Sequence, residues 1–467
     1  MTLIPTAATA ATPSLRPIAH FTAENCWLND PNGLLFHDGV YHLFFQTNPH
    51  GSTWGDISWG HATSTDLVDW VERDIAIPCT PDEMAFSGSA VADIRNTAGF
   101  AGPGQTALVA IYTSARPPRG GMPASQSQSL AYSLDDGTMW TRYDGNPVLD
   151  IGSNEFRDPK VFWFGGDDGH WVMAVVEAVA RRVVFYTSPN LIDWTRASDF
   201  GPAHATEGVW ECPDLFPLAV DGSDELRWVL VVSMNPGGIA GGSGTQYFVG
   251  DFDGAVFTPE RLTDSHDPAD YDWLDYGRDY YAAVSFNDAP DGRRLMIGWA
   301  SNWDYANATP THPWRSAMSL VREVTLLRDA DGALRVAQKP VLPAPSDRRL
   351  GVFELSVPCG PGEVHAVTVS AGETERLVIT VDGDDHSIRA DRTQSGATAF
   401  HPAFPSVDRA PLPDTGATHV DLLVVVDAMI VEIYAADGLV TLTQQVFPST
   451  PYDQVSVRSL GADLRAR

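Results

Sequence analysis

The sequence predicts an all-β protein in two parts: a five-bladed β-propeller over residues 15–328 and a β-sandwich over residues 350–467, joined by a linker over 329–349. Three observations carry this prediction: a strand-like run that recurs five times, a tryptophan-marked hairpin that recurs in phase with it, and a change of composition near Leu326. Repeated β units of similar length are the signature of radial arrays, in which neighbouring sheets protect one another's edges.

The runs are VYHLFF at Val40, TALVAIY at Thr106, HWVMAVV at His170, RWVLVVS at Arg227 and RLMIGWA at Arg294, with starts 66, 64, 57 and 67 residues apart. Each is rich in Val, Ile, Leu and aromatic residues, is bounded by Gly or Asp turns, and is too short for a helix. The hairpins are HATSTDLVDW ending at Trp70, AYSLDDGTMW ending at Trp140 and YTSPNLIDW ending at Trp194. Within them Ser-x-x-Leu-x-x-Trp recurs from Ser64 to Trp70 and from Ser188 to Trp194. Past Leu326 a Pro-rich stretch of mixed charge leads to ERLVITVDG, VDLLVVVDAMIVEIYAADG and LVTLTQQVF, and the last tryptophan is already behind at Trp314. These alternating strands with Gly and Asp turns suit a sandwich.

Composition narrows the function. The chain has 467 residues, 43% apolar and 19% charged, with 34 Pro and 40 Gly, which fits a globular protein built on turns rather than long helices. Sixty acidic against 30 basic residues give a net charge of −30, a field that repels phosphate backbones and anionic lipid, so no nucleic-acid partner is expected. No membrane partner is expected either, because no run approaches the ~20 apolar residues of a membrane span. Cys26, Cys79, Cys212 and Cys359 are too scattered for a disulfide framework or a CxxC site. The N-terminal MTLIPTAATAATPSLRP lacks the basic and apolar regions of a secretory signal. A cytoplasmic location is therefore expected, or secretion if a longer precursor has been trimmed.

Loops at one end of a propeller converge on its channel, so polar clusters at run ends are the site candidates. CWLNDPNGLLF places Asn29, Asp30, Pro31 and Asn32 before Gly33, a tetrapeptide that alone reads as an ordinary turn. EFRDPKVFW places Arg157 beside Asp158 at a strand entrance, where a surface ion pair is the commoner explanation. VWECPDLF places Glu211 between Trp210 and Cys212, a poorly solvated setting of the kind that raises a carboxyl pKa. Singly each is weak. Together they set three carboxylates at the heads of three blades' strands, and two carboxylates with different roles are the minimum for glycosidic cleavage. Abundant aromatics suit sugar faces, and a neutral sugar avoids repulsion by an acidic protein.

WLNDPNG, FRDP and EC, in that order, resemble the signature blocks of the invertases, inulinases and levanases of glycoside hydrolase family 32. TWGDISWGHATSTDLVDW, FSGSAV at Phe86, WDYANATPTHPWRSAMSLVRE at Trp303, DRTQSG at Asp391 and VDAMIVEIYAADG at Val426 extend the resemblance over nearly the whole chain, nearest to the exo-acting levanases and inulinases. The resemblance implies a five-bladed propeller with a β-sandwich, and retaining hydrolysis of β-fructofuranosides, with fructan or sucrose as substrate and no metal or cofactor. It implies Asp30 as nucleophile, Glu211 as acid/base, and Asp158 as stabiliser of an oxocarbenium-like transition state with Arg157 beside it. It also implies that Asn29, Gln46, Trp54, Phe86, Ser87 and Gly88 line a terminal fructose pocket whose wall includes Trp299 and Trp303. The charges of Asp30 and Asp158 are expected to keep a proton on Glu211 near neutral pH.

Thr47 after Gln46 and Val284-Ser285 depart from the usual pattern and leave the leaving-group subsites open. The run from Gly237 to Gly244 lacks the Lys-Ser/Thr of a phosphate loop and reads as a mobile rim loop, and His61 reads as structural because no HExxH spacing is present. Transfer of the fructosyl group to a sugar rather than water stays open. A non-catalytic fructan-binding protein is disfavoured by retention of the carboxylate trio, and an inverting arabinan enzyme by WLNDPNG. Linkage preference, product size, oligomeric state and the role of the sandwich stay open.

Overall fold

The computed structural model describes residues 15–121, 123–329, 332–344, 350–413 and 416–460. Five antiparallel sheets of four strands, each in sequence order, form the blades. Blade 1 comprises Trp27–His37, Val40–Asn48, Ser58–Ser64 and Val71–Ile77, and blade 2 comprises Met84–Asp93, Ala107–Arg116, Ser125–Ser133 and Thr141–Arg142. Blade 3 comprises Phe156–Phe164, His170–Glu177, Arg182–Ser188 and Thr195–Phe200. Blade 4 comprises Val209–Ala219, Leu226–Asn235, Gly244–Phe252 and Phe257–Pro259. Blade 5 comprises Tyr281–Ser285, Leu295–Trp299, Arg322–Arg328 and Leu334–Pro340.

The five apolar runs are the second strands of the five blades. A second strand is paired on both edges and covered on both faces by the adjoining blades, so it reads as continuous hydrophobics rather than an alternation. The Trp-marked hairpins join third and fourth strands of blades 1 to 3. In each, a serine hydroxyl accepts a backbone N–H, from Leu67 to Ser64 at 2.8 Å, Gly137 to Ser133 at 2.9 Å and Asn190 to Ser188 at 3.1 Å. The turn places Leu67, Gly137 and Leu191 at positive φ of 70°, 83° and 65°. The first strands pack successively around the channel, and blade 5 closes on blade 1. Phe36 N donates to Asn287 O at 3.0 Å and Asn287 N to Leu34 O at 2.9 Å across that closure.

One expected boundary is corrected. Leu334–Pro340 pairs along its length with Arg322–Arg328, so the propeller runs to Pro340 and the 329–349 linker begins only after it. Leu334 and Val336 pack with Val220, Val229 and Leu326 in the core between blades 4 and 5, which a free linker would not do.

The C-terminal part is a sandwich of two sheets. One has the order Gly351–Pro358, His419–Asp427, Ile430–Ala435, Val440–Gln445; the other has the order Val407–Pro411, Ser387–Gln394, Glu375–Asp382, Val364–Ala371, Gln454–Ser459. Alternate residues Leu377, Ile379 and Val381 of one sheet meet Val424, Val426 and Ile433 of the other.

Buried charge joins the two parts. Arg322 of blade 5 reaches Asp275 at 2.9 Å and Glu432 of the sandwich at 3.1 Å. Arg392 of the sandwich pairs with Asp279, and its Nη2 donates to the Tyr305 hydroxyl at 2.9 Å. His20, ahead of blade 1, lies between Asp427 at 2.8 Å and Glu432 at 3.1 Å. Among the described residues, no helix is long and apolar enough to cross a membrane.

Candidate active site

All five first strands shift register against their second strands near the same end. The shifts fall between Leu28 and Pro31, Phe86 and Gly88, Arg157 and Lys160, Glu211 and Asp214, and Tyr281 and Val284. Such bulges leave residues unpaired and re-aim their side chains. Asp158, Cys212 and Ala282 at three of them have φ of 64°, 46° and 53°, a region costly for residues other than glycine and often found at functional sites. The Asp-Pro-Asn-Gly segment is therefore not a turn but the bulged part of Trp27–His37. Pro31, Pro159 and Pro213 fit because the first strand's free edge faces the channel, where a missing N–H costs no ladder bond.

The bulges bring Asp30, Ser87, Asp158, Glu211 and Tyr281 from five blades to one end of the channel. Ser87 Oγ donates to Asp30 Oδ2 at 2.6 Å, and Asn29 Nδ2 donates to Oδ1 at 3.0 Å. Arg157 Nε donates to Glu211 Oε1 at 3.1 Å and lies 4.0 Å from Asp158 Oδ2; Tyr281 OH donates to Glu211 Oε2. Cys212 Sγ lies 3.5 Å from Asp30 Oδ2 and 3.7 Å from Asp158 Oδ2, and the Cys212 N–H donates to Asp158 Oδ2 at 3.0 Å.

Burial raises the Asp30 carboxyl above the usual range, and the Glu211 charge adds to this, while bonds from Ser87, Asn29 and Cys212 oppose it. Burial pushes Asp158 up to about 7; Arg157 opposes the rise, and Glu211 and Asp30 add to it. Burial would lower the Arg157 guanidinium, but Glu211, Asp158 and Glu155 hold it above its ordinary value. Burial and then the charges of Asp30, Asp158 and Glu211 hold the Cys212 thiol protonated, so it is a donor here and not a nucleophile.

The other expected pocket residues fall into different positions. Gln46 is buried and donates to Ala85 O at 3.1 Å, tying blade 1 to blade 2. Trp54 is 44% exposed at the mouth, with its ring 6.1 Å from that of Phe86. Gly88 answers to packing: a Cβ there would lie 2.0 Å from Ile111 O. Trp299 is fully buried and so stands behind the wall it was expected to form. Trp303, half-buried, packs on Trp299 at 4.7 Å and Trp27 at 6.0 Å. The Gly237 to Gly244 run is anchored, contrary to the mobile loop expected: Asn302 Nδ2 donates to Gly241 O at 3.1 Å and Arg278 Nη2 to Ala240 O at 2.5 Å.

Cys212 and Tyr281 are the site residues that motif reasoning left without a role. Cys212 stands beside the carboxylate that draws attention and Tyr281 sits in an apolar run, where a phenol reads as core; their positive-φ neighbourhood shows only in the structure. Among the described residues, no group of three or more His, Cys, Asp or Glu is arranged to hold a metal ion. The assembled groups are an oriented carboxylate, a second carboxyl bound by Arg and Tyr, and a third that stays protonated to about pH 7. This set can attack a carbon centre, deliver a proton to a leaving oxygen and face developing positive charge.

Comparison with known proteins agrees with this geometry. Residues 20–340 match the Glycosyl hydrolases family 32 N-terminal domain and residues 352–465 match the Glycosyl hydrolases family 32 C terminal. The chain is 42% identical over 480 residues to an extracellular exo-inulinase of Aspergillus niger, covering 92% of this chain and 89% of that protein. It is 43% identical over 467 residues to a levanase of Bacillus subtilis, covering 93% of this chain and 66% of that protein. The crystal structure of exo-inulinase from Aspergillus awamori superposes with a TM-score of 0.89 at 38% identity, covering 97% of each chain. The β-fructofuranosidase from Schwanniomyces occidentalis complexed with fructosyl-erythritol gives a TM-score of 0.81 at 34% identity, covering 95% of this chain and 94% of that one. With both of its parts matched and its site assembled from the motif blocks, the chain belongs to family 32 of the glycosyl hydrolases.

Proposed function

We propose that the protein is an exo-acting β-fructosidase that removes terminal fructose from fructans or sucrose with retention of configuration. Asp30, oriented by Ser87 and Asn29, attacks the anomeric carbon of the terminal fructose while Glu211 protonates the departing glycosidic oxygen. An ester between Asp30 and fructose forms as the glycosidic bond breaks. Glu211, now ionised, takes a proton from water, whose oxygen attacks the same carbon and releases fructose and free Asp30. Arg157 Nε and the Tyr281 hydroxyl both donate to Glu211 and hold its carboxyl in place for that transfer. Asp158 faces the sugar hydroxyls and the oxocarbenium-like carbon, and Trp54 and Trp303 offer rings to the substrate at the mouth.

The observation that carries this reading is the convergence of Asp30, Asp158 and Glu211 at aligned bulges of blades 1, 3 and 4. The relatives named as exo-inulinase and levanase support the substrate class and the exo mode. The test is a time course of soluble products from levan, inulin and sucrose, resolved by anion-exchange chromatography. Free fructose as the first new sugar from a polymer is expected. Early oligosaccharides or an anhydride would replace hydrolysis by transfer, and an absence of product from all three substrates would reject an enzyme of this class.

A further inference from the structure

Beneath the carboxylates the channel holds a second charged layer that the reaction does not touch. Lys160 lies two residues beyond Asp158 on the first strand of blade 3, and Asp214 lies three beyond Glu211 on the first strand of blade 4. Both are buried, with Lys160 Nζ 3.3 Å from Asp214 Oδ1. Ser285 ends the blade 5 strand that begins with Tyr281. Lys160 Nζ donates to Ser285 O at 2.6 Å and to its Oγ at 3.3 Å, and Ser285 N donates to Asp214 Oδ2 at 2.5 Å. The strands that carry Asp158, Glu211 and Tyr281 are therefore joined a second time, one layer down. A cavity of only about 10 Å³, lined by Asp158, Cys212, Lys160 and Ser285 among others, separates the layers.

Stability alone does not account for the pair, because buried ion pairs replaced by well-packed neutral groups are often no less stable. The ties made by Ser89 and Asn287 are neutral: Ser89 Oγ accepts from Val161 N at 2.8 Å, and Asn287 Nδ2 donates to Ala90 O at 2.8 Å and Val161 O at 3.0 Å, whereas Arg294 Nη1 adds a second cation to the lower layer, donating to Ser285 Oγ at 3.4 Å and Phe286 O at 3.2 Å. The three ammonium donors of Lys160 are directed at Asp214 and Ser285, so the cation is held below the trio and does not neutralise it. What a multidentate charged tie adds to neutral ones is a fixed strand separation, and a shift of about 1 Å at reacting groups costs about 100-fold in rate.

We propose that Lys160 and Asp214, with Ser285, are positioning residues that set the spacing of the strands carrying Asp158 and Glu211 for catalysis. This inference rests on the fructosidase reading. The test is the double variant Lys160→Met with Asp214→Asn, which removes both charges at similar volume and leaves neither unpaired. The expected result is a folded protein with a KM for sucrose within about two-fold of the parent and a kcat lower by about 10- to 100-fold. Parental kcat in the folded double variant would overturn the proposal. If the double variant does not fold, Ser285→Ala, which removes the Oγ contacts to Lys160 at 3.3 Å and to Arg294 at 3.4 Å, gives the decisive reading: a fall in kcat of about two- to five-fold at unchanged KM is expected, and parental kcat overturns the proposal. The parent measured alongside separates the two ideas, since a parent that releases no fructose rejects the fructosidase reading itself.

Discussion

Ser87 Oγ donates to Asp30 Oδ2 at 2.6 Å, so a hydroxyl on blade 2 aims the carboxylate on blade 1. The bond crosses between blades at the level of two bulges, and its acceptor is charged at the moment of attack, which places it in the range of roughly 1.5–3 kcal/mol. Ser87→Ala is expected to lower kcat for sucrose by about 10- to 100-fold with Tm unchanged. Initial rates and a thermal melt check it; a variant with parental kcat would show that Asn29 alone orients Asp30.

Asp30 and Glu211 divide two tasks, and substrate chemistry can separate them. Glu211→Gln removes proton delivery, worth about 10²- to 10⁴-fold for an alkoxide leaving group. Fructosyl fluoride needs no proton on departure, so the glycosyl-transfer step of Glu211→Gln on this substrate is expected to approach the parental rate. Asp30→Asn is expected to be inactive on sucrose and fluoride alike, with both variants folded. Because Glu211 is also the base of the second step, the pre-steady-state burst of fluoride reports the first step; equal losses of first-turnover rate on both substrates in Glu211→Gln would remove the acid role.

The fold was legible where burial is two-sided. The runs at Val40, Thr106, His170, Arg227 and Arg294 fall within one residue of the starts of the second strands, because strands covered on both faces must be apolar throughout. First strands were harder to see. Asn29 to Gly33 carries five residues typical of turns, and only the unpaired edge facing the channel explains why they lie in a strand. The end of the propeller was misplaced because the fourth strand of blade 5, LRVAQKP, has no tryptophan turn before it and runs into Pro-rich sequence. The carboxylate trio was visible in its motifs, whereas the roles of Cys212, Tyr281 and Lys160 depend on bulges and on pairing between blades that no local pattern encodes.

Burial pushes the Asp158 carboxyl up to about 7 from the 3.8 of a free aspartate. The folded state therefore keeps a proton that the unfolded chain has released over this interval, and stability falls as pH rises from about 4 to 7. Asp158→Asn cannot ionise and is expected to lose that slope. Its Tm should exceed the parental value by a few degrees at pH 7.5 and match it near pH 4, while sucrose turnover falls by at least about 10³-fold. Calorimetry across this range decides it, and an unchanged slope would reject the raised carboxyl.

His20 shows the opposite sign and tests the junction between the two parts. Burial would lower its pKa, but hydrogen bonds to Asp427 and Glu432 and their charges raise it to about 9 from 6.5, while Glu432 is held down at about 2 against 4.5 by Arg322 and His20 despite burial. A histidine whose folded pKa is raised contributes stability that is fully present below pH 6.5 and is lost as pH climbs through about 9. Glu432 contributes stability that is present above pH 4.5 and is lost as pH falls through about 2. The parental Tm is therefore expected to decline between pH 6.5 and 9. His20→Gln leaves Asp427 and Glu432 without their shared cation, so it is expected to cost about 3–5 kcal/mol at pH 6.5 and to abolish that decline. Ile18, Ala19 and His20 N–H groups all donate to Asp427, so part of the N-terminal attachment survives the substitution and the protein should still fold. Melts of parent and variant at pH 6.5 and 9 measure both effects at once: convergence of the two Tm values at pH 9 is expected, and a constant gap would mean that His20 acts by packing and not by charge.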